Sequence, residues 1–304
     1  MTAPPLIFDR ALHRRRLDRA APRFRRADFL KRRAAEDLAM RIEAIRRRFP
    51  IAVDLGARTG VLAEILAASD AATKIDTLIQ TDLSAAMLSR TGGPRVVADE
   101  ERLPFAPQSL DLVVSALALH WVNDLVGTLI QIRRALKPDG LMMVSLLGGA
   151  TLTELRRSLL TAEADLRGGA GPRVSPFVDA ADGADLLRRA GFALPVVDTD
   201  TVTVRYAHPL KLMADLRGMG ETSALLGQSG GHLGRDVLER ACSGYDTGQD
   251  GASGRVGATF EIITLTGWAP HPEQQKPLRP GSAKMRLADA LGVVEHDAGD
   301  KAGG

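Results

Sequence analysis

"AVDLGARTGVLAEIL", residues 52–66, decides how the rest of the chain is read. Apolar and β-branched residues run into Asp54, the chain then meets Gly56 and Gly60, and Val61, Leu62, Ile65 and Leu66 follow at helical spacing. A strand, a glycine turn and a helix in that order make the first unit of a sheet that holds a nucleoside-bearing ligand at its carboxyl edge.

Working outward, the same alternation repeats. "TLIQTD" (77–82) is followed by "SAAMLSR", "RVVAD" (95–99) by a loop, "LDLVVSALAL" (110–119) by a helix from about Asp124, and "LMMVSLL" (141–147) by "TLTELRRSLLTAEADL". "LKPDG" (136–140) reads as the turn between a helix and the strand after it. After a helical pattern over 182–190, "VVDTDTVTVRY" (196–206) and "GATFEIITLTGW" (257–268) alternate as strands do. A mostly helical insert over about 208–245 separates them and reads as a lid. The expected fold is α/β, a doubly wound and mostly parallel seven-stranded sheet with an N-terminal helical arm. The expected organisation is a basic arm over 1–49, a ligand-binding domain over 50–284 and a flexible tail over 285–304.

Of the 304 residues, 45% are hydrophobic, enough for a sizeable core. No apolar run reaches the roughly 18 residues of a membrane span, and the N-terminus carries charge where a secretory signal is apolar. A soluble, cytoplasmic protein is expected. The single cysteine, Cys242, has no partner for an internal disulfide, so thiol redox chemistry is not expected. The net charge of +3 hides an asymmetry, because Arg10–Arg48 holds 15 Lys or Arg against 5 Asp or Glu. Interleaved Phe24, Leu30, Leu38, Ile42 and Ile45 suit an amphipathic helix packed on the main domain, with a basic face left for an acidic partner or a peripheral membrane contact. Aromatic interleaving for base stacking is thin, so nucleic acid is not an expected partner.

A dinucleotide would want G-x-G-x-x-G beneath its pyrophosphate. This turn offers G-x-x-x-G and puts Asp54 where a pyrophosphate would be repelled. An acid there suits a cationic ligand, and S-adenosylmethionine carries both an ammonium and a sulfonium. Asp82, ending the second strand, is the expected acceptor for ribose hydroxyls, and Asp99, after the third, for the adenine amine. The residues expected to line this cofactor are Asp54, Gly56, Ala57, Arg58, Gly60, Asp82, Leu83, Asp99 and Glu100.

"VDLGARTG", "TDLS", "ADEERLPFAPQSLDLVVS", "LHWVND" and "LKPDG" resemble, in order, the motifs of class I S-adenosylmethionine-dependent methyltransferases over about residues 50–147. The usual turn of that family is D-x-G-x-G-x-G, and here Arg58 stands at the middle glycine. A longer resemblance, carried by "FDRALHRRRLDRAA", "LLGGATLTELR", "PRVSPF", "LRGMGE", "ATFEIITLTGWAPH" and "QQKPLRPGSA", is to the methyltransferase-fold respiratory complex I assembly factors and their bacterial relatives. That family implies hydroxylation of an arginine on a complex I subunit. Its distant relatives include the malonyl-acyl-carrier-protein O-methyltransferases.

Methyl transfer needs chiefly alignment. His120, Trp121 and Asn123, after the fourth strand, are the residues expected to align an acceptor, with His120 as a base; packing of that loop is the alternative reading. Hydroxylation needs a metal or an organic redox cofactor. His120 with Asp124 is a candidate pair, His208 or His271 a further ligand, but the spacing is not that of a metal site, and no metal is expected. Gly148 and Gly149 read as the start of a helix or as room for close approach of a substrate peptide, and Arg173 and Arg217 with Glu221 as surface ion pairs or as a grip on a protein substrate. The functional expectations are thus modification of a protein side chain, ordinary methyl transfer to a small or acyl-carrier carboxylate, or a non-catalytic assembly chaperone.

Overall fold

The computed structural model describes residues 6–227, 233–245, 254–274 and 292. Two units are distinguished, Met1–Pro270 and His271–Gly304. In the second, the described residues form a turn in which Gln274 N–H donates to the His271 carbonyl. The expected tail, 285–304, lies outside the described residues apart from Gly292.

The first unit is built on one seven-stranded sheet: β1 (Phe49–Leu55), β2 (Ile75–Asp82), β3 (Arg95–Val97), β4 (Leu110–Ala116), β5 (Leu136–Leu147), β6 (Ala193–Tyr206) and β7 (Val256–Trp268). Their order is β3-β2-β1-β4-β5-β7-β6, so the chain reverses direction across the sheet between β1 and β4. The first five strands pair in parallel, and β7 runs antiparallel to both of its neighbours. Every residue of β4 is buried, Asp111 and Ser115 included, as befits a mostly apolar central strand covered on both faces. The edge strand β6 alternates between exposed and partly buried positions instead.

The helices α1 (Arg10–Ala20), α2 (Phe29–Ala44), α3 (Val61–Ala67) and α6 (Thr153–Arg167) bury their apolar stripes in one cluster with Leu112, Val114 and Phe260. The helices α5 (Leu125–Ala135) and α7 (Ala180–Ala190) cover the other face with Val53, Val113 and Leu265. A short α4 (Ala85–Leu88) follows β2, and α8 (Pro209–Met219) and α9 (Arg235–Ser243) occupy the insert between β6 and β7. The basic stretch of the N-terminus therefore includes two helices with buried stripes, Leu17 and Ala20 on α1 and Ala34, Ala35, Leu38 and Ile42 on α2.

Two local readings are corrected. "LKPDG" lies within β5, where the register slips between Leu110 and Leu112 of β4 and Asp139 takes a left-handed φ of 64°. Gly148 does not begin a helix, since α6 starts at Thr153. A Cβ at Gly148 would stand 2.4 Å from Glu261 Oε2 and 2.6 Å from Ile263 Cδ1, so a larger residue there would have to displace the ends of those two β7 side chains.

Candidate functional site

The switch between β1 and β4 opens a crevice at the carboxyl ends of the strands, and the sequence-expected cofactor residues meet there. The turn after β1 is tied to β2 by Ala57 N–H donating to the Thr81 carbonyl at 2.8 Å. Gly56 has φ 71°, and a Cβ there would meet Ala118 Cβ at 2.2 Å, so the turn packs against the loop after β4 with no room for a side chain. Arg58 also takes a left-handed φ, 54°, the conformation that glycine adopts without cost.

Asp82 is fully buried. Its Oδ2 accepts from both the backbone N–H of Arg58 (2.9 Å) and Arg58 Nη1 (2.8 Å), and its Oδ1 accepts from Ser84 N–H (2.8 Å). Asp99 lies in the turn two residues beyond β3 and accepts from Arg10 Nη2 at 2.7 Å; the same nitrogen bonds Glu100. Leu83 sits between Asp82 and the Ser84 cap of α4. Asp54 is 0% exposed, and neither of its oxygens has a hydrogen-bond partner. Burial pushes its carboxyl up to about 6, against the pull of the Lys31 ammonium. Lys31, from α2, donates to the carbonyls of Gly56 (2.8 Å) and Ala116 (2.6 Å), and burial brings it down to about 8 with Asp54 opposing.

The loop after β4 gives a second constellation. His120 Nε2 lies 2.9 Å from Glu221 Oε2, and Trp121 Nε1 donates to the same oxygen at 2.8 Å. Burial works against ionising Glu221, yet His120, Arg58 and Trp121 hold its carboxyl below the usual range. Glu221 and Trp121 line a cavity of about 410 Å³ whose walls include Leu147, Leu155, Leu159, Phe177 and Met213. Arg16, Arg173 and Arg217 also border it. Asn123 faces other work: its Oδ1 accepts from the N–H groups of Ile7 and Phe8, both at 2.7 Å, and its Nδ2 donates to Glu101 at 3.0 Å. It latches the N-terminal segment to the sheet. Asp124 caps α5 through Gly127 N–H rather than joining His120, and among the described residues no cluster of three or more His, Cys, Asp or Glu is placed to hold a metal.

Three residues of the site, Arg10, His13 and Lys31, went unread in the sequence, and a fourth, Glu221, was expected in a surface ion pair. A signal existed for two of them. Lys31 falls in register with Ala34, Ala35, Leu38 and Ile42, and His13 with Leu17 and Ala20, so each polar side chain stands on a buried stripe. His13 stacks on Trp121 with ring centroids 4.5 Å apart, and burial with the neighbouring Arg58 and Arg10 lowers its pKa well below the usual value. Glu221, its side chain 13% exposed, pairs with His120 rather than with Arg217, and Arg173 pairs with the buried Glu163, so neither Glu221 nor Arg173 makes the surface pair expected of it.

Comparison with known proteins places this geometry in context. A methyltransferase-domain family model matches residues 53–144. The mitochondrial arginine-hydroxylase NDUFAF5 of Danio rerio is 39% identical over 300 residues, 96% of this chain and 92% of that protein. Its Homo sapiens counterpart is 40% identical over 95% of this chain and 84% of its own length. The malonyl-[acyl-carrier protein] O-methyltransferase of Methylovorus sp. is 33% identical over 97% of each chain. Among solved structures, one from Bacillus halodurans superposes with TM-score 0.54 at 15% identity, covering 78% of this chain and 99% of its own, a likeness of fold alone.

Proposed function

This chain belongs to the methyltransferase-fold family that includes the arginine-hydroxylase NDUFAF5, and on that footing we propose that it binds S-adenosylmethionine and modifies an arginine side chain of a respiratory complex I subunit during assembly. It is an enzyme of the S-adenosylmethionine-dependent methyltransferase family. The strand-end residues fit that cofactor: Asp54 is a buried acid with both oxygens unpartnered, as an anion kept for a cationic ligand would be, and Asp82, Asp99 and Glu100 are acceptors of the kind that ribose hydroxyls and an amine require. When bound, S-adenosylmethionine supplies an activated methyl group on its sulfonium.

The observation that carries the acceptor side is Glu221. Its carboxylate, held ionised by His120 and Trp121, borders a deep apolar cavity. A cavity of that lining takes an alkyl stem, and a fixed carboxylate at its wall pairs with a guanidinium. His120 and Trp121 orient the carboxylate, and Phe177, with its ring centroid 5.9 Å from that of His120, shields the pair from water. The exposed Arg14 and Arg15 of α1 give the substrate protein a basic docking face.

Among the described residues no helix is long and apolar enough to cross a membrane. A cytoplasmic location is part of the reading, alongside relatives whose names place them in mitochondria. A second reading, methyl transfer to an acyl-carrier carboxylate, is favoured by the three arginines bordering the cavity and by the relative in Methylovorus.

The test is a peptide mass comparison of complex I subunits from cells with and without the gene. An arginine that gains one oxygen, or one methylene, only when the gene is present upholds the proposal and names its reaction. Unchanged subunits, with a free acyl-carrier carboxylate methylated by the purified protein, establish the second reading.

A further inference from the structure

The acceptors that an adenosyl ligand would use are already engaged by this chain's own guanidinium groups. Arg58, at the position of a family glycine, is only 1% exposed and places two donors on Asp82 Oδ2. Arg10 bridges Asp99 and Glu100 and also donates to the Trp121 carbonyl at 3.2 Å. The cavity beside Arg58 and Lys31 is about 30 Å³, which is room for a single water and far from the several hundred Å³ of a nucleoside site. Burial on this scale is not accompanied by full pairing: Arg58 Nη2, His13 Nδ1, His120 Nδ1 and both oxygens of Asp54 have no hydrogen-bond partner. Such atoms mark an arrangement that closes the space without satisfying it.

We propose that Arg58 and Arg10 are intramolecular occupants of the adenosyl site, each holding acceptors that the ligand takes over, so that the ligand binds by exchange with them. The proposal rests on the S-adenosylmethionine reading above. Exchange requires α1 to part from the loop after β4, because Arg10 joins the two and His13 and Phe8 pack on Trp121. The closed arrangement then reduces apparent affinity by the fraction of molecules that are open. It also sets ligand charge. Withdrawing the Arg58 cation leaves Asp54, Asp82 and Glu221 facing Lys31, an excess of negative charge that favours a sulfonium over a neutral thioether.

The experiment is isothermal titration of the full chain and of its Arg58→Gly and Arg10→Ala variants with S-adenosylmethionine and S-adenosylhomocysteine. Arg58→Gly is expected to bind both ligands at least tenfold more tightly than the unaltered protein, with the larger gain for the sulfonium, and Arg10→Ala about threefold more tightly. Equal or weaker binding by Arg58→Gly overturns the exchange while leaving the cofactor reading intact. Absence of binding by all three proteins overturns both. Should Arg58→Gly fail to fold, Arg10→Ala decides, its tightened binding supporting the exchange and its unchanged affinity overturning it.

Discussion

Two chambers lie side by side at the carboxyl edge of the sheet, and they differ in how far they are filled. The one behind the glycine turn is bordered by Arg58, Lys31, Asp28 and Glu221 as well as by Phe24, Leu30, Leu117 and Phe260 and retains about 30 Å³ of space, whereas the one under α6 and α8, bordered by leucines and by Arg16, Arg173 and Arg217, retains about 410 Å³. Leu147, Leu216 and Glu221 border both. In the first, Arg58 and Lys31 reach on long stems to Asp82 and to the carbonyls of Gly56 and Ala116, and those stems fill the space between apolar walls. Leucines anchored to helices and strands do not reach across a gap, and a dry apolar void between rigid walls persists.

The comparison breaks most decisively at Asp82. Its replacement by Ala strands the buried Arg58 cation and is expected to cost about 3–5 kcal/mol in urea unfolding. A loss below about 1 kcal/mol would mean that Arg58 has turned to Glu100 or Glu221, and that the chamber is more adaptable than its packing suggests. Paired truncations sharpen the contrast in rigidity. Leu62→Ala, in the packed core, is expected to cost about 3–4 kcal/mol, and Leu155→Ala, bordering space that already exists, about 2 kcal/mol. Equal costs would show the large cavity to collapse when its wall is trimmed.

Asp54 supplies a test in pH. Its folded pKa is raised to about 6, so the favourable contribution of its protonated form is present below the unfolded value, near 4, and is lost as pH rises through about 6. Asp54→Asn is therefore expected to gain roughly 1–2 kcal/mol at pH 7.5 and nothing below pH 4, measured by thermal unfolding across that range, while abolishing the binding of S-adenosylmethionine. The smallest effect belongs to neither chamber. Arg33 and Asp200 pair at 2.7 Å with both side chains about half exposed, and Asp200→Ala is expected to change stability by less than about 0.5 kcal/mol, a difference erased by added salt.

Strand ends were legible because they combine two local signals, an apolar run and the polar residue that stops it. Asp82 ends its strand in this way, Asp54 stands one residue before the end of its own, and the Gly56–Gly60 turn announces itself by residue type alone. Arg10, His13 and Lys31 were hidden for a physical reason. A basic amphipathic stretch ordinarily turns its charges to solvent, so the apolar register of His13 and Lys31 is easily passed over, and Arg10, whose partners lie about 90 residues away, has no local signal at all. Glu221 lies 101 residues from His120 in the chain, and no local pattern encodes a hydrogen bond across that separation. Arg58 was visible as a departure from the family turn, but its union with Asp82 depends on the side chain rather than on the turn.

The last strand of the sheet is inserted rather than added. β7 pairs with β5 on one side and β6 on the other, so β6 has no neighbour in the sheet until residues 256–268 arrive. During synthesis the long open edges of β5 and β6 must wait for it, exposed to pairing with other chains. β6 is accordingly expected to join the sheet only after residues 256–268 have emerged, and a chaperone that shields sheet edges would matter most in that interval.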